Sequence, residues 1–285
     1  MACRKRRSTS TALQAPASFG LAMLVATLIW PLSCSAQTAH FAEKARDSIV
    51  YIFFDTVDQA NGVKTPVQGT GFIVSPGGYV LTASHLFRAW RKQTDAHRRT
   101  HLIKGSRYDK PGYTKENWLV LDVINLGDSD AEDVALLKFP QLGSRYEPAP
   151  ICLDASDRMK LGDSLLAYGF PEDQNFQPVP GILGTQNAAG GRWAAAIAFT
   201  DGMSGGPVYN ADGFVIGIVK GGLGNTDAVR FISPIRHAFN YLMAAGLVQK
   251  CDAVAPPKKE EKADSEDILW TFVQEDFSLE KAQSF

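Results

Sequence analysis

The chain has 285 residues, which suits one or two domains. It is 45% hydrophobic and 21% charged with a formal net charge of -1, an ordinary globular balance that excludes a strongly basic nucleic-acid-binding chain. Lys and Arg do cluster between Arg88 and Lys110, and this reads as a solvated loop rather than a nucleic-acid or acidic-lipid surface.

In chain order, the N-terminus comes first. Arg4-Lys5-Arg6-Arg7 is followed by an apolar stretch from Ala17 to Leu32, interrupted by Gly20 and Pro31, and then by Ser33-Cys34-Ser35-Ala36. The apolar part falls short of the roughly 20 residues of a membrane span. The pattern predicts a secretory signal over residues 1–36 cut after Ala36. The mature chain then has no membrane span and is periplasmic or secreted. An uncleaved anchor and a lipoprotein acylated at Cys34 are the competing readings. Cleavage leaves two of the four cysteines, Cys152 and Cys251. In an oxidising compartment they are expected either to bridge or to stay as two buried thiols.

Ile49-Val50-Tyr51-Ile52-Phe53-Phe54 is β-branched and aromatic, and predicts a strand. Asp58 to Thr65 is a polar loop. Gly69 to Val74, the turn Ser75-Pro76-Gly77-Gly78, and Tyr79 to Thr82 predict a hairpin. It leads straight into Ala83-Ser84-His85. From Arg88 to Asn117 the chain reads as irregular, with a short strand at His101-Leu102-Ile103. Trp118 to Ile124 predicts a strand. Asp128 and Asp130 look like turn formers, whereas Asp133 opens the apolar strand Asp133 to Phe139. A carboxylate entering such a strand is partly buried and needs a partner, for which a histidine N–H is suited.

Residues 140–150 read as a connector. Gly162 to Pro171, Gly181 to Gly184 and Arg192 to Phe199 predict further strands, the last feeding Thr200-Asp201-Gly202-Met203-Ser204-Gly205-Gly206-Pro207-Val208. A second hairpin turns at Asn210-Ala211-Asp212-Gly213. Val229 to Pro234 is a strand, and Ile235 to Leu247 predicts a helix with Ile235, Phe239, Leu242 and Met243 on its apolar face. Many short strands and one late helix predict an all-β barrel or sandwich protein. Residues 251–285 form a charged linker and tail, in which Leu269, Phe272 and Val273 share a helical face. That tail reads as loosely docked or as a partner-binding helix.

A serine among glycines is a candidate nucleophile, and it needs a base and an orienting acid. Gly202-Met203-Ser204-Gly205-Gly206 satisfies the Gly-x-Ser-x-Gly pattern of the α/β-hydrolase elbow. An elbow, however, requires a helix next, and here Pro207 and a hairpin follow. It also requires its acid and histidine downstream of the serine, where His237 stands alone. Upstream, His85, Asp133 and Ser204 stand in the order His, Asp, Ser of the chymotrypsin-like triad. Ser204 is then the nucleophile, His85 the general base and acid, and Asp133 the orienting group. Gly202 and Ser204 N–H groups would form the oxyanion hole. Each residue taken singly is more often structural, and it is the three together that carry the reading. His97 with His101 is too little for a zinc site, so no metal or cofactor is expected.

Here a resemblance becomes specific. Gly69-Thr70-Gly71-Phe72 through Ala83-Ser84-His85 resembles the histidine region of trypsin-like proteases, most of all the bacterial high-temperature-requirement (DegP-type) branch. Glu132-Asp133-Val134-Ala135-Leu136-Leu137-Lys138, Gly162 through Pro171, and Gly202 through Val208 also resemble it. The resemblance spans roughly residues 45 to 240. It implies two six-stranded antiparallel β-barrels of the chymotrypsin-like fold with a C-terminal helix. The N-terminal barrel would take residues 37–147 and carry His85 and Asp133. The C-terminal barrel would take residues 148–250 and carry Ser204. The chain departs from the branch in having too few residues after Lys250 for a peptide-binding PDZ domain. Met203 stands where that branch usually has asparagine and where digestive relatives have an aspartate. By the same resemblance Ala198 lies near the base of the specificity pocket. Val219, Lys220, Gly221 and Gly222 form one wall, and Val229 and Phe231 another. That lining implies cleavage after small or medium apolar residues of protein or peptide substrates. Two alternatives are an elbow-type esterase and a catalytically silent protease-fold binding protein using the basic loop or the tail.

Overall fold

The fold is that of a computed structural model, which describes residues 45–58, 60–107, 118–127, 131–140, 146–171, 176–222 and 229–247. The predicted signal, the turn aspartates Asp128 and Asp130, Cys251 and the tail all lie outside the described residues.

Among the described residues, thirteen strands fall into two sheets. In the first, β1 (Ile49–Val57) pairs with β2 (Lys64–Ile73) and with β4 (Lys104–Arg107). Strand β2 continues to β3 (Tyr79–Thr82), then β7 (Ala135–Lys138) and β6 (Asp122–Leu126). Strand β5 (Leu119–Val120) pairs with β4 at the other edge. The two edges, β5 and β6, are thus separated in the chain by Leu121 alone. A sheet whose opposite edges are that close in sequence has to roll round on itself. Leu121 sits buried in the gap and its N–H donates to the Ile103 carbonyl at 2.9 Å.

The predicted strand over 118–124 is therefore two short strands bonding to different partners. The expected strand at 101–103 lies instead at Lys104–Arg107, and short helical turns occupy Arg88–Arg91 and Asp95–Thr100. With its own period of two, β1 sends Val50, Ile52 and Phe54 into the first core, where Phe54 stacks on Phe87 at 5.2 Å.

The second sheet is a closed six-stranded barrel in the order β10-β13-β12-β11-β8-β9. Its strands are β8 (Ser164–Gly169), β9 (Gln177–Ala188), β10 (Arg192–Ile197), β11 (Pro207–Tyr209), β12 (Val215–Gly222) and β13 (Arg230–Pro234). Closure removes the edges that would otherwise invite strand addition. Trp193, Leu165, Val208, Ile216 and Ile232 fill the interior, and burying each such side chain contributes roughly 1.5–3 kcal/mol.

Two barrel-like sheets with few helices agree with the expected all-β chymotrypsin-like architecture, the first sheet being rolled and the second closed. The last helix is shorter than its pattern predicts: a 3-10 turn at Ile235–Ala238, then α-helix at Phe239–Ala244. Ile235 and Leu242 are buried as expected. Met243, however, is exposed, and Tyr241 takes the buried place.

Candidate active site

Strand β3 ends at Thr82, and the 3-10 turn Ser84–Phe87 follows at once, so His85 is mounted on a rigid strand end. Asp133 lies just before β7, which pairs with β3. The two sheet neighbours thus bring histidine and aspartate together by ladder register. Asp133 is buried, and its carboxylate is fully engaged. Oδ1 accepts from the His85 backbone N–H at 2.8 Å and from Ser84 Oγ at 3.2 Å. Oδ2 lies 2.8 Å from His85 Nδ1 and 3.7 Å from Lys220 Nζ. Burial alone would push the Asp133 carboxyl up. The hydrogen bonds and charge of His85, with the charge of Lys220, outweigh burial and hold it below the ordinary carboxylate value. An ionised Asp133 accepting from Nδ1–H fixes the tautomer in which Nε2 is the basic nitrogen of His85.

Ser204 sits in the turn between β10 and β11. That turn is held by Val219 of β12 and, from the other sheet, by Thr70 of β2. Thr70 N–H donates to the Ser204 carbonyl at 2.8 Å, and Thr70 Oγ1 donates to the Gly202 carbonyl at 2.8 Å while accepting from Phe170 N–H at 3.2 Å. The Thr70 carbonyl in turn accepts from Thr82 Oγ1 at 2.7 Å, three residues before His85. Gly205 has φ of +88°, and a Cβ there would collide with Thr82 Oγ1 and the Thr70 carbonyl. Only glycine lets the serine turn press this closely against the strand end that carries His85.

Among the described residues, the N–H groups of Gly202 and Ser204 have no acceptor, whereas their neighbours do. Met203 N–H donates to Thr200, Gly205 N–H to Val219 and Gly206 N–H to Met203. Two unpaired donors flank one buried residue, Met203, whose side chain packs into the barrel core. Ser204 Oγ likewise has no hydrogen-bond partner among the described residues. It lies beside Gly221, where a Cβ would stand 4.0 Å from it. A hydroxyl without a hydrogen-bond partner among the described residues, beside two N–H groups likewise without an acceptor, can attack an electrophilic carbonyl once a base takes its proton and can have the developing oxyanion received.

The remaining predicted residues are placed as follows. Ala198 is exposed just beyond β10. Val219 turns its side chain into the barrel core, and its backbone runs beside the serine turn. The Lys220 side chain ends at Asp133. Gly222 closes β12 opposite Arg230. Phe231 lies beneath the Arg192 guanidinium, 4.5 Å from its ring centre, and Val229 is exposed.

Thr70, Thr82 and Ser84 were not among the expected site residues, although all three lie within the quoted histidine region. Small hydroxyl residues one to three places from Gly69, Gly71 and His85 were the available signal. His97 and His101 face each other edge-on at 5.8 Å, and among the described residues no group of three or more His, Cys, Asp or Glu could hold a metal. No helix among them is long and apolar enough to cross a membrane.

Comparison with known proteins bears on the family and the fold. The family model "Trypsin-like peptidase domain" matches residues 69–218. A Synechocystis sp. protein named as a serine protease, HhoA, is 29% identical over 198 residues, covering 64% of this chain and 44% of the relative. A DegP-like protein of Chlamydia pneumoniae, named as a periplasmic serine endoprotease, is 29% identical over 185 residues, covering 60% and 33%. The chain thus spans less than half the length of these relatives. The crystal structure of Deg5 superposes with a TM-score of 0.58 at 20% identity, covering 74% of this chain and 96% of that one, which speaks for the fold.

Proposed function

This chain belongs to the trypsin-like peptidase family, and from that premise we propose that it is a serine endopeptidase of the HtrA/DegP type. Ser204 Oγ attacks the peptide carbonyl while His85 Nε2 takes its proton. Asp133 holds the imidazole and offsets its charge. The oxyanion settles between the N–H groups of Gly202 and Ser204. His85 then gives the proton to the leaving amine, and water releases the acyl-enzyme by the same steps. The observations that carry this reading are a buried Asp133 on His85 Nδ1 at 2.8 Å and, on the serine turn, two N–H groups without an acceptor among the described residues.

The proposal extends to place and preference. Export to the periplasm or beyond rests on the Arg4-Lys5-Arg6-Arg7 and apolar N-terminal pattern, together with relatives named as periplasmic. In that compartment Cys152, buried in the second core, pairs with Cys251, and a thiol count on the unreduced protein tests the bridge. Ala198, Gly221 and Phe231 bring no charge to the pocket, so small or medium apolar residues are preferred before the cut bond.

A fluorophosphonate probe tests the mechanism. It is expected to label the intact chain and not Ser204→Ala, and casein cleavage is expected to follow the labelling. Absence of both would leave a silent binding protein. Labelling with ester turnover alone would leave an esterase.

A further inference from the structure

Lys220 is the extra residue of a β-bulge. In the β12–β13 ladder Val219 faces Ile232 and Gly221 faces Phe231, so the register skips Lys220. A bulge re-aims the side chain it carries, and Gly221, at φ of +113°, accepts the bend. The redirected ammonium stops 3.7 Å from Asp133 Oδ2, on a side chain that is 11% exposed. That oxygen is also the one facing His85 Nδ1. Burying an ammonium and a carboxylate is costly unless they serve each other. A strand built to deliver a lysine there is a specific arrangement rather than a solvated charge.

The charged groups around this point come from four elements. Asp133 and Glu132 precede β7, His85 lies on the 3-10 turn after β3, Lys220 on β12, and Arg236 and His237 on the 3-10 turn after β13. His237 is held toward its neutral form by burial first, then by Arg236, with Lys220 adding to the effect against Glu132. Ser233 Oγ joins the Glu132 carbonyl and lies 3.2 Å from His237 Nδ1.

We infer that Lys220 is a positioning residue that acts through Asp133 as a counter-charge, sharing Oδ2 with His85 and loosening the hold of the carboxylate on the imidazolium. The serine proton moves to His85 Nε2 and then to the leaving nitrogen, while Lys220 keeps its protons throughout. With a cation already beside Asp133, the imidazolium is held less tightly and passes its proton on more readily.

The inference rests on the triad reading above, but its first readout needs no turnover. In the Ser204→Ala chain, the proton shared by His85 Nδ1 and Asp133 gives a low-field NMR resonance. Lys220→Met is expected to move it further downfield, because Oδ2 becomes a stronger acceptor. Lys220→Arg is expected to leave it in place. In the active chain, Lys220→Met is expected to shift the acid limb of kcat/KM to higher pH with KM unchanged, and the arginine variant to restore the limb. Lys220→Gln supplies the same comparison if the methionine variant does not fold. An unmoved resonance in the uncharged variants would overturn the inference, as would a uniform loss of kcat at every pH. If neither wild type nor variant turns over substrate while the resonance moves, the protease reading fails and the role of Lys220 stands.

Discussion

Asp133 carries more of the site than any other single residue. It is the one non-glycine among the described residues with positive φ, at +51°, a region that aspartate tolerates better than most side chains. The bend aims both carboxylate oxygens at the residues 84–85 turn and leaves Oδ2 open to Lys220. An amide in its place imposes the wrong imidazole tautomer, so Asp133→Asn is expected to cost about 10⁴-fold in kcat with little change in KM. Stability follows as well. Because the folded carboxyl sits below its ordinary value of 3.8, its contribution is present above that value and is lost as the pH falls through the lower folded one. The gap in urea midpoint between wild type and Asp133→Asn is therefore expected to be widest near neutral pH. It should narrow as the pH drops below 3.8, and an equal gap at all pH values would contradict this.

At the level of elements, the informative contacts run from β2 to the serine turn. Thr70→Val keeps the shape of the side chain and removes its hydroxyl, leaving the Gly202 carbonyl and the Phe170 N–H unpaired. Buried groups stranded in this way cost about 1–3 kcal/mol, which a denaturant titration reads directly. Turnover is expected to fall further than stability alone explains, since the turn that presents the Gly202 N–H loses its anchor at the Gly202 carbonyl. Thr70→Ser is expected to keep most of both. The β2–β3 hairpin was legible in the sequence because Ser75-Pro76-Gly77-Gly78 encodes its own turn. So was the serine hairpin, through Asn210-Ala211-Asp212-Gly213. Strand β4 was not legible, nor was the division of β5 from β6, because each is defined by the strand it meets rather than by its own residues. Leu121 breaks a run that reads continuously as β, since its two sides bond to opposite edges of one sheet. Met243 sits at helical spacing with Phe239 and is nonetheless exposed, because the helix turns its Tyr241 and Leu242 side inward.

Over the whole molecule, the proposed triad is divided between two sheets. His85 and Asp133 ride on β3 and β7 of the rolled sheet, and Ser204 rides on the turn before β11 of the closed barrel. The order His, Asp, Ser could be read from the sequence because order survives without any knowledge of pairing. The Thr70 link and the approach of Lys220 could not, because they join residues 132 or more and 87 positions apart, respectively, through tertiary contact alone. That division has a consequence for how the chain can be cut or permuted. The barrel closes its own ladder from β8 to β13 without help from the first sheet, yet the shape of its serine turn is written at position 70. A fragment covering residues 146–247 is expected to keep its strands while its serine reacts with a fluorophosphonate no faster than an ordinary surface hydroxyl. Adding the first sheet back in trans is expected to restore labelling only if Thr70 is present. The enzyme would then behave as a two-key lock, in which the barrel owns the nucleophile and a threonine on the other sheet decides whether it is one.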